Sequence, residues 1–177
     1  MEKQKKTLTF GKILIYSVGI FGIQLLVGYI NTYQSQFYTS VLAADLTKCA
    51  VIILAAKIIS SFADPIIGNI IDSAHFKSGK MKPFVAMSIL PFAIITTLMF
   101  VAFDFKSDAA KYAYITVTTV LWNIAMSFAD IPSQGMLAVL SSSSEEKNSC
   151  AGIANMLKSL ALVAPNMFVP VICTLTG

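Results

Sequence analysis

The 177-residue sequence contains no arginine, so all 13 of its basic residues are lysines. Charge of either sign is scarce. Only 12% of residues are charged, where soluble domains carry roughly a quarter. Hydrophobic residues make up 56%, and mean hydropathy is +0.74. A chain this short cannot hide that much apolar surface from water, which excludes a soluble domain and implies a polytopic membrane protein. Runs of about ten residues alternating apolar and polar are missing, which excludes barrel strands and leaves helices. The three cysteines, Cys49, Cys150 and Cys173, form no CxxC pair. An odd number cannot make a full disulfide set, so they read as small apolar packing residues. The single histidine, His75, has no ligand partner at metal-binding spacing and reads as a solvated loop residue. No HExxH, nucleophile elbow, P-loop or dinucleotide motif is present, nor the GxGD signature of aspartyl intramembrane proteases. An enzyme is therefore not expected, no cofactor is implied, and nucleic acid is not an expected partner.

What is present is a set of long apolar segments. A span needs about 20 residues, and five are read, at about 12–35, 47–72, 84–103, 111–140 and 149–174. The second and fourth exceed the minimum, so they tilt or extend past the lipid. A basic start before an apolar run resembles a signal peptide, but the run of roughly 13–30 is too long for one and further spans follow. Lysines give the orientation. The N-terminal segment and the 73–83 and 141–148 loops hold Lys3, Lys5, Lys6, Lys12, Lys77, Lys80, Lys82 and Lys147, against Lys48, Lys106 and Lys111 on the other side. By the positive-inside rule the N-terminus is cytoplasmic, in a multi-pass protein of the cell membrane. Ser141–Ser144 with Glu145 and Glu146 reads as a solvated turn, with Ser144 capping the fifth helix.

The polar residues fall in stripes. The fourth span carries Asn123, Ser127, Asp130 and Gln134 at i, i+4, i+7, i+11. The second carries Lys57, Ser60, Ser61, Asp64 and Gly68, and the first Ser17, Gln24, Gly28, Asn31 and Ser35. The fifth carries Asn155, Lys158 and Asn166 on a broader face. The third has Ser88, Thr96 and Thr97 but no charge, and is expected to face lipid outside the others. Asp64, Asp130, Lys158 and Gln24 lie about 12, 15, 14 and 18 Å from the cytoplasmic ends of their spans. Four spans thus place polar groups at similar depth, as a shared polar cavity would. An Asp or Lys at a helix centre costs roughly 2.5–3.5 kcal/mol on insertion scales. That cost points to a substrate or ion path; the plainer alternative is a buried ion pair that fixes helix packing. Lys57 and Asp64 are about 10 Å apart along the axis and are not an ideal pair. Asp64-Pro65 and Asp130-Ile131-Pro132 place acids beside prolines, which free a carbonyl one turn earlier. Such oxygens beside carboxylates suit a monovalent cation or a protonation switch, although a proline here is also often only a kink.

One stretch joins these features: Asp64-Pro65-Ile66-Ile67-Gly68, then Asp72, then Gly79-Lys80-Met81-Lys82-Pro83-Phe84. It resembles the second helix and following loop of the glycoside–pentoside–hexuronide:cation symporters. Phe37-Tyr38-Thr39 matches the end of that family's first helix and Asp130-Ile131-Pro132 its fourth. The resemblance runs in order from about residue 10 to 177. It implies an all-α major-facilitator fold of twelve helices in two halves, of which these five correspond to helices 1–5, with no soluble domain. It also implies sugar entry coupled to Na⁺ or H⁺ by alternating access. Carried over by position, Asp64 and Asp130 would bind the cation, Asp130 also the sugar, and Asp72, Gly79 and Lys80 would belong to the cytoplasmic gating loop.

Several positions depart from the family pattern. The second cation-site acid falls on Ser60, the sugar-binding acid of the first helix on Gln24, and the tryptophan after Asp130 on Gln134. The arginine of the fifth helix falls on Asn155, with Lys158 nearly one turn away, while the basic residue before the cation acids is kept as Lys57. A cation site with less charge and a chemically different sugar site are expected. The partners implied are a sugar or glycoside, a monovalent cation, the lipid bilayer, and a C-terminal half in cis or trans, without which this stretch is not expected to transport. Two other readings remain: a related major-facilitator transporter for a non-sugar solute, and a non-transporting structural membrane module.

Overall fold

The computed structural model describes residues 10–74, 82–140 and 144–176. They form five helices: α1 (Phe10–Ser40), α2 (Leu46–Ser73), α3 (Lys82–Met99), α4 (Asp108–Leu140) and α5 (Ser144–Thr176). Among the described residues, Leu46–Ser73, Asp108–Gly135 and Ala151–Ile172 are long and apolar enough to cross a membrane, and Pro83–Met99 is a shorter apolar helix. The all-helical membrane architecture expected from composition is the one found. α4 and α5 have 33 residues each, or about 50 Å, so both extend beyond a hydrocarbon layer of about 30 Å.

Local chemistry sets the ends. Asp45 caps α2 from an extended conformation, its carboxylate accepting from the Lys48 amide at 3.0 Å. Ser107 plays the same part for α4, its hydroxyl accepting from the Ala110 amide at 3.3 Å. Pro83 sits in the first turn of α3, where its missing N–H has no helical partner to lose. α1 ends in a wide turn in which the Ala44 amide donates to the Tyr38 carbonyl at 2.9 Å and Ala43 takes a positive φ of 47°.

The chain divides into two compact units. In the unit Tyr33–Pro132, α4 is the axis. The end of α1 runs antiparallel to it, since Ala43 meets Lys111 and Tyr38 meets Thr119. α2 runs parallel to it, with Asp45 meeting Tyr112 and Asp64 meeting Ser127. α3 is antiparallel: Tyr114 donates to the carbonyl of Leu98, and the Trp122 indole donates to Thr96 Oγ1 at 3.2 Å. α3 shows Met87, Ile89 and Leu90 at 65–69% exposure, a face fitted for lipid. α2 exposes Val51, Leu54, Ile58, Phe62 and Ile66 in the same way.

The other unit holds the described residues up to Thr32 and from Ser133 onward. Here α1 crosses α5 at backbone contact. A Cβ built on Gly28 would lie 2.7 Å from the Leu162 carbonyl oxygen and 2.9 Å from its Cα. Without a hydrophobic force between helices in lipid, such close approach of small residues is what holds them. By contrast, Gly19 and Gly22 have nothing among the described residues within 4 Å of an added Cβ.

Gly28→Val is therefore expected to destabilise the protein by about 1–3 kcal/mol through overpacking. Gly22→Ala is expected to be neutral or to gain up to about 1 kcal/mol from helix propensity. Thermal unfolding of both variants in detergent checks the contrast, and equal melting of the two would refute the close crossing.

Candidate functional site

Lipid offers no hydrogen bonds, so every polar side chain on these helices needs a protein partner, water or cargo. On α4, Thr119, Asn123 and Ser127 recur at i, i+4, i+8 and form one polar ridge. At one end, Gln34 Nε2 donates to Tyr38 Oη and to Thr119 Oγ1, both at 3.2 Å, and those two hydroxyls lie 3.1 Å apart. All three residues are buried. The triad ties the end of α1 to α4, and interhelical hydrogen bonds of this kind contribute about 0.6 kcal/mol each in membranes. One turn along, Asn123 Nδ2 donates to the Thr119 carbonyl at 2.8 Å.

At the far end of the ridge stands Asp64. Ser127 Oγ lies 2.5 Å from Asp64 Oδ1 and 3.1 Å from the Asn123 carbonyl oxygen, so a single hydroxyl proton has two acceptors. The shorter distance is that of a charge-assisted O–H···O⁻ bond. Asp64 and Ser127 are both half-buried. Asp130, also half-buried, follows on α4 about one turn beyond Ser127.

The neighbourhood of Asp64 on its own helix is unusual. Ser60 Oγ and Ser61 Oγ both donate to the Lys57 carbonyl at 2.9 Å. Ser60 therefore turns its proton to its own helix and not to Asp64. Pro65 removes the amide that would pair with the Ser61 carbonyl. Lys57 is exposed and makes no ion pair among the described residues. Asp72 is exposed in the last turn of α2. Gly79 and Lys80 lie outside the described residues.

The remaining sequence-derived candidates belong to the other unit. Gln24 is buried on α1, four residues before the Gly28 crossing. Gln134 on α4 and Asn155 on α5 are exposed, and Lys158 is half-buried. The Asn155 carbonyl accepts from Ser159 Oγ at 3.0 Å. The contact the sequence left unassigned is Ser127. Its spacing put it on the polar face of α4, but periodicity names a face and not the partner across from it. Among the described residues no group of three or more His, Cys, Asp or Glu side chains is placed to hold a metal ion.

Residues 15–177 match the family model described as "MFS/sugar transport protein". Among curated proteins, the chain is 27% identical to the uncharacterized symporter YnaJ of Bacillus subtilis, over 89% of this chain and 34% of that protein. It is 26% identical to the isoprimeverose transporter of Lactiplantibacillus pentosus, over 92% of this chain and 34% of that protein. It is 25% identical to the lactose permease of Leuconostoc lactis, over 92% of this chain and 27% of that protein. The chain thus spans about a third of the length of the curated relatives it matches.

Ser127→Ala leaves a half-buried carboxylate without its donor and is expected to lower stability by about 1–2 kcal/mol, the lower part of the range for hydrogen bonds to charged groups because Asp64 is partly solvated. Ser127→Thr keeps the donor and is expected to melt within about 1 kcal/mol of the parent. Detergent melting curves of the pair measure this, and an Ala variant as stable as the Thr variant would show that the bond contributes nothing. The polar ridge, the paired Asp64 and the match over nearly the whole sequence lead to one assignment: this chain belongs to the MFS/sugar transport protein family.

Proposed function

We propose that the chain is the N-terminal portion of a cation-coupled symporter for a sugar or glycoside, working by alternating access in the cell membrane with the N-terminus cytoplasmic. The observation that carries this reading is a carboxylate held in mid-helix by a hydroxyl from a neighbouring helix. Asp64 is neither neutralised by Lys57 nor buried in an apolar core. An acid so placed, beside a proline that leaves the Ser61 carbonyl without an amide partner, suits exchange of Na⁺ or H⁺.

In this reading Asp64, with Ser60 one turn before it and Asp130 on α4, serves the cation. Asp130, Gln24, Gln134, Asn155 and Lys158 serve the substrate. Asp72, Gly79 and Lys80 belong to the gating loop. The names of the relatives support a saccharide: isoprimeverose, lactose, and, for a Salmonella typhimurium homologue, sulfoquinovose. Because the chain spans about a third of those proteins, a C-terminal part in cis or trans would complete the cavity. Lysine placement supports the orientation, since Lys48, Lys106 and Lys111 all fall at one end of the unit built around α4.

A second reading is a related transporter for a non-sugar solute. It is favoured by the neutral Gln24, Gln134 and Asn155 at positions where the resemblance leads one to expect an acid, an aromatic ring and an arginine.

Uptake and counterflow of labelled glycosides in vesicles, using the full reading frame, separate the two readings. Asp64→Asn is expected to abolish ion-driven accumulation, and Asp130→Asn to abolish both accumulation and counterflow. Undiminished uptake by both variants would sink the site assignment. Counterflow with amino acids or organic acids but with no glycoside would favour the second reading.

A further inference from the structure

A cavity of about 460 Å³ opens at the end of the α4-centred unit where α1 gives way to α2 and α3 to α4. That volume is within the usual range for small-ligand sites. Its wall carries both signs of charge: Asp104, Lys106, Asp108 and Lys111. Asp104 and Lys106 are exposed, and neither makes a hydrogen bond or ion pair among the described residues. Lys111 is different, with a side chain only 14% exposed. An ammonium carries three N–H donors. One goes to Asp108 Oδ1 at 3.0 Å and one to the Ala43 carbonyl at 3.4 Å, while the third has no acceptor among the described residues. The lip is apolar, with Val41 and Phe103 each about half exposed, at 54% and 49%.

The position decides among ligands. The cavity lies level with the helix ends and is lined by Phe103 and Phe105, whose rings pack on Tyr114, and aromatic rings gather at the membrane–water interface. What lies permanently at that level is a phospholipid headgroup. We propose that this cavity binds a zwitterionic phospholipid headgroup of the leaflet opposite the lysine-rich loops. The phosphate is met by Lys106 and the spare donor of Lys111. The headgroup's cationic nitrogen is met by Asp104 and the outer oxygen of Asp108. Val41 and Phe103 lie against the glycerol and first methylenes. A purely anionic headgroup would leave Asp104 facing negative charge, so the lining selects against it. This inference does not rest on the transport reading and fails or stands independently of it.

The test is melting of the full-reading-frame protein in nanodiscs of phosphatidylethanolamine, phosphatidylcholine or phosphatidylglycerol. Both zwitterionic lipids are expected to raise the melting temperature above that in phosphatidylglycerol by about 2–4 °C. Asp104→Lys is expected to reverse the order, and Lys106→Gln to shrink the difference. Asp104 is exposed and unpaired, so melting in phospholipid-free detergent should be unchanged. Should Asp104→Lys melt low even there, Asp104→Asn gives the same comparison without added charge. Equal melting of the parent in all three lipids, or an order that survives in the Asp104 variants, would overturn the proposal. So would stabilisation in detergent by a soluble glycoside that Asp104→Asn removes, which would assign the cavity to a sugar.

Discussion

A polar group on a helix in lipid has no water to fall back on, and the unit built around α4 is arranged by that constraint. Thr119, Asn123 and Ser127 hold their places because each hydroxyl or amide has a fixed partner, on α1, on α4 itself or on α2. Three helices meet α4: α1 through Gln34 and Tyr38, α2 through Asp64, and α3 through Thr96 and the rings of Phe92 and Trp122. Apolar contact alone would specify these neighbours weakly, since lipid tails solvate Leu and Ile as well as another helix does. Directional bonds supply the register that hydrophobicity cannot.

Much of this was legible in the sequence. Five helices follow from hydropathy and length, and the acid-bearing faces follow from spacing. Asp64 stands out in the sequence because an acid in the middle of an apolar run has no cheap explanation. The identity of its neighbour was not legible, because the stripe at 123, 127, 130 and 134 offers several residues of similar chemistry. The Gln34–Tyr38–Thr119 triad is not legible for a related reason. Threonines in helices satisfy themselves on the carbonyl four residues back, as Thr32, Thr116 and Thr118 do. Nothing in the sequence sets Thr119 apart from them.

Gly28 shows the same division between face and partner. Its spacing placed it among polar residues, where a glycine reads as neutral filler. Its use in the fold is to let the backbone of α5 approach at Leu162. A contact defined by the absence of a side chain leaves no periodic trace, whereas the family motif around Asp64-Pro65, made of charged and special-backbone residues, leaves a clear one.

The backbone of α2 near Asp64 has a mechanical consequence. The Lys57 carbonyl is shared by two serine hydroxyls, and the Ser61 carbonyl has lost its amide to Pro65. Back-bonding hydroxyls and prolines each weaken the ladder that makes a helix stiff. Between residues 57 and 65, α2 is therefore less a rod than a leaf spring. A bend in α2 would fall most easily within this stretch, and because Asp64 lies inside it, such a bend would change the angle at which the carboxylate meets Ser127.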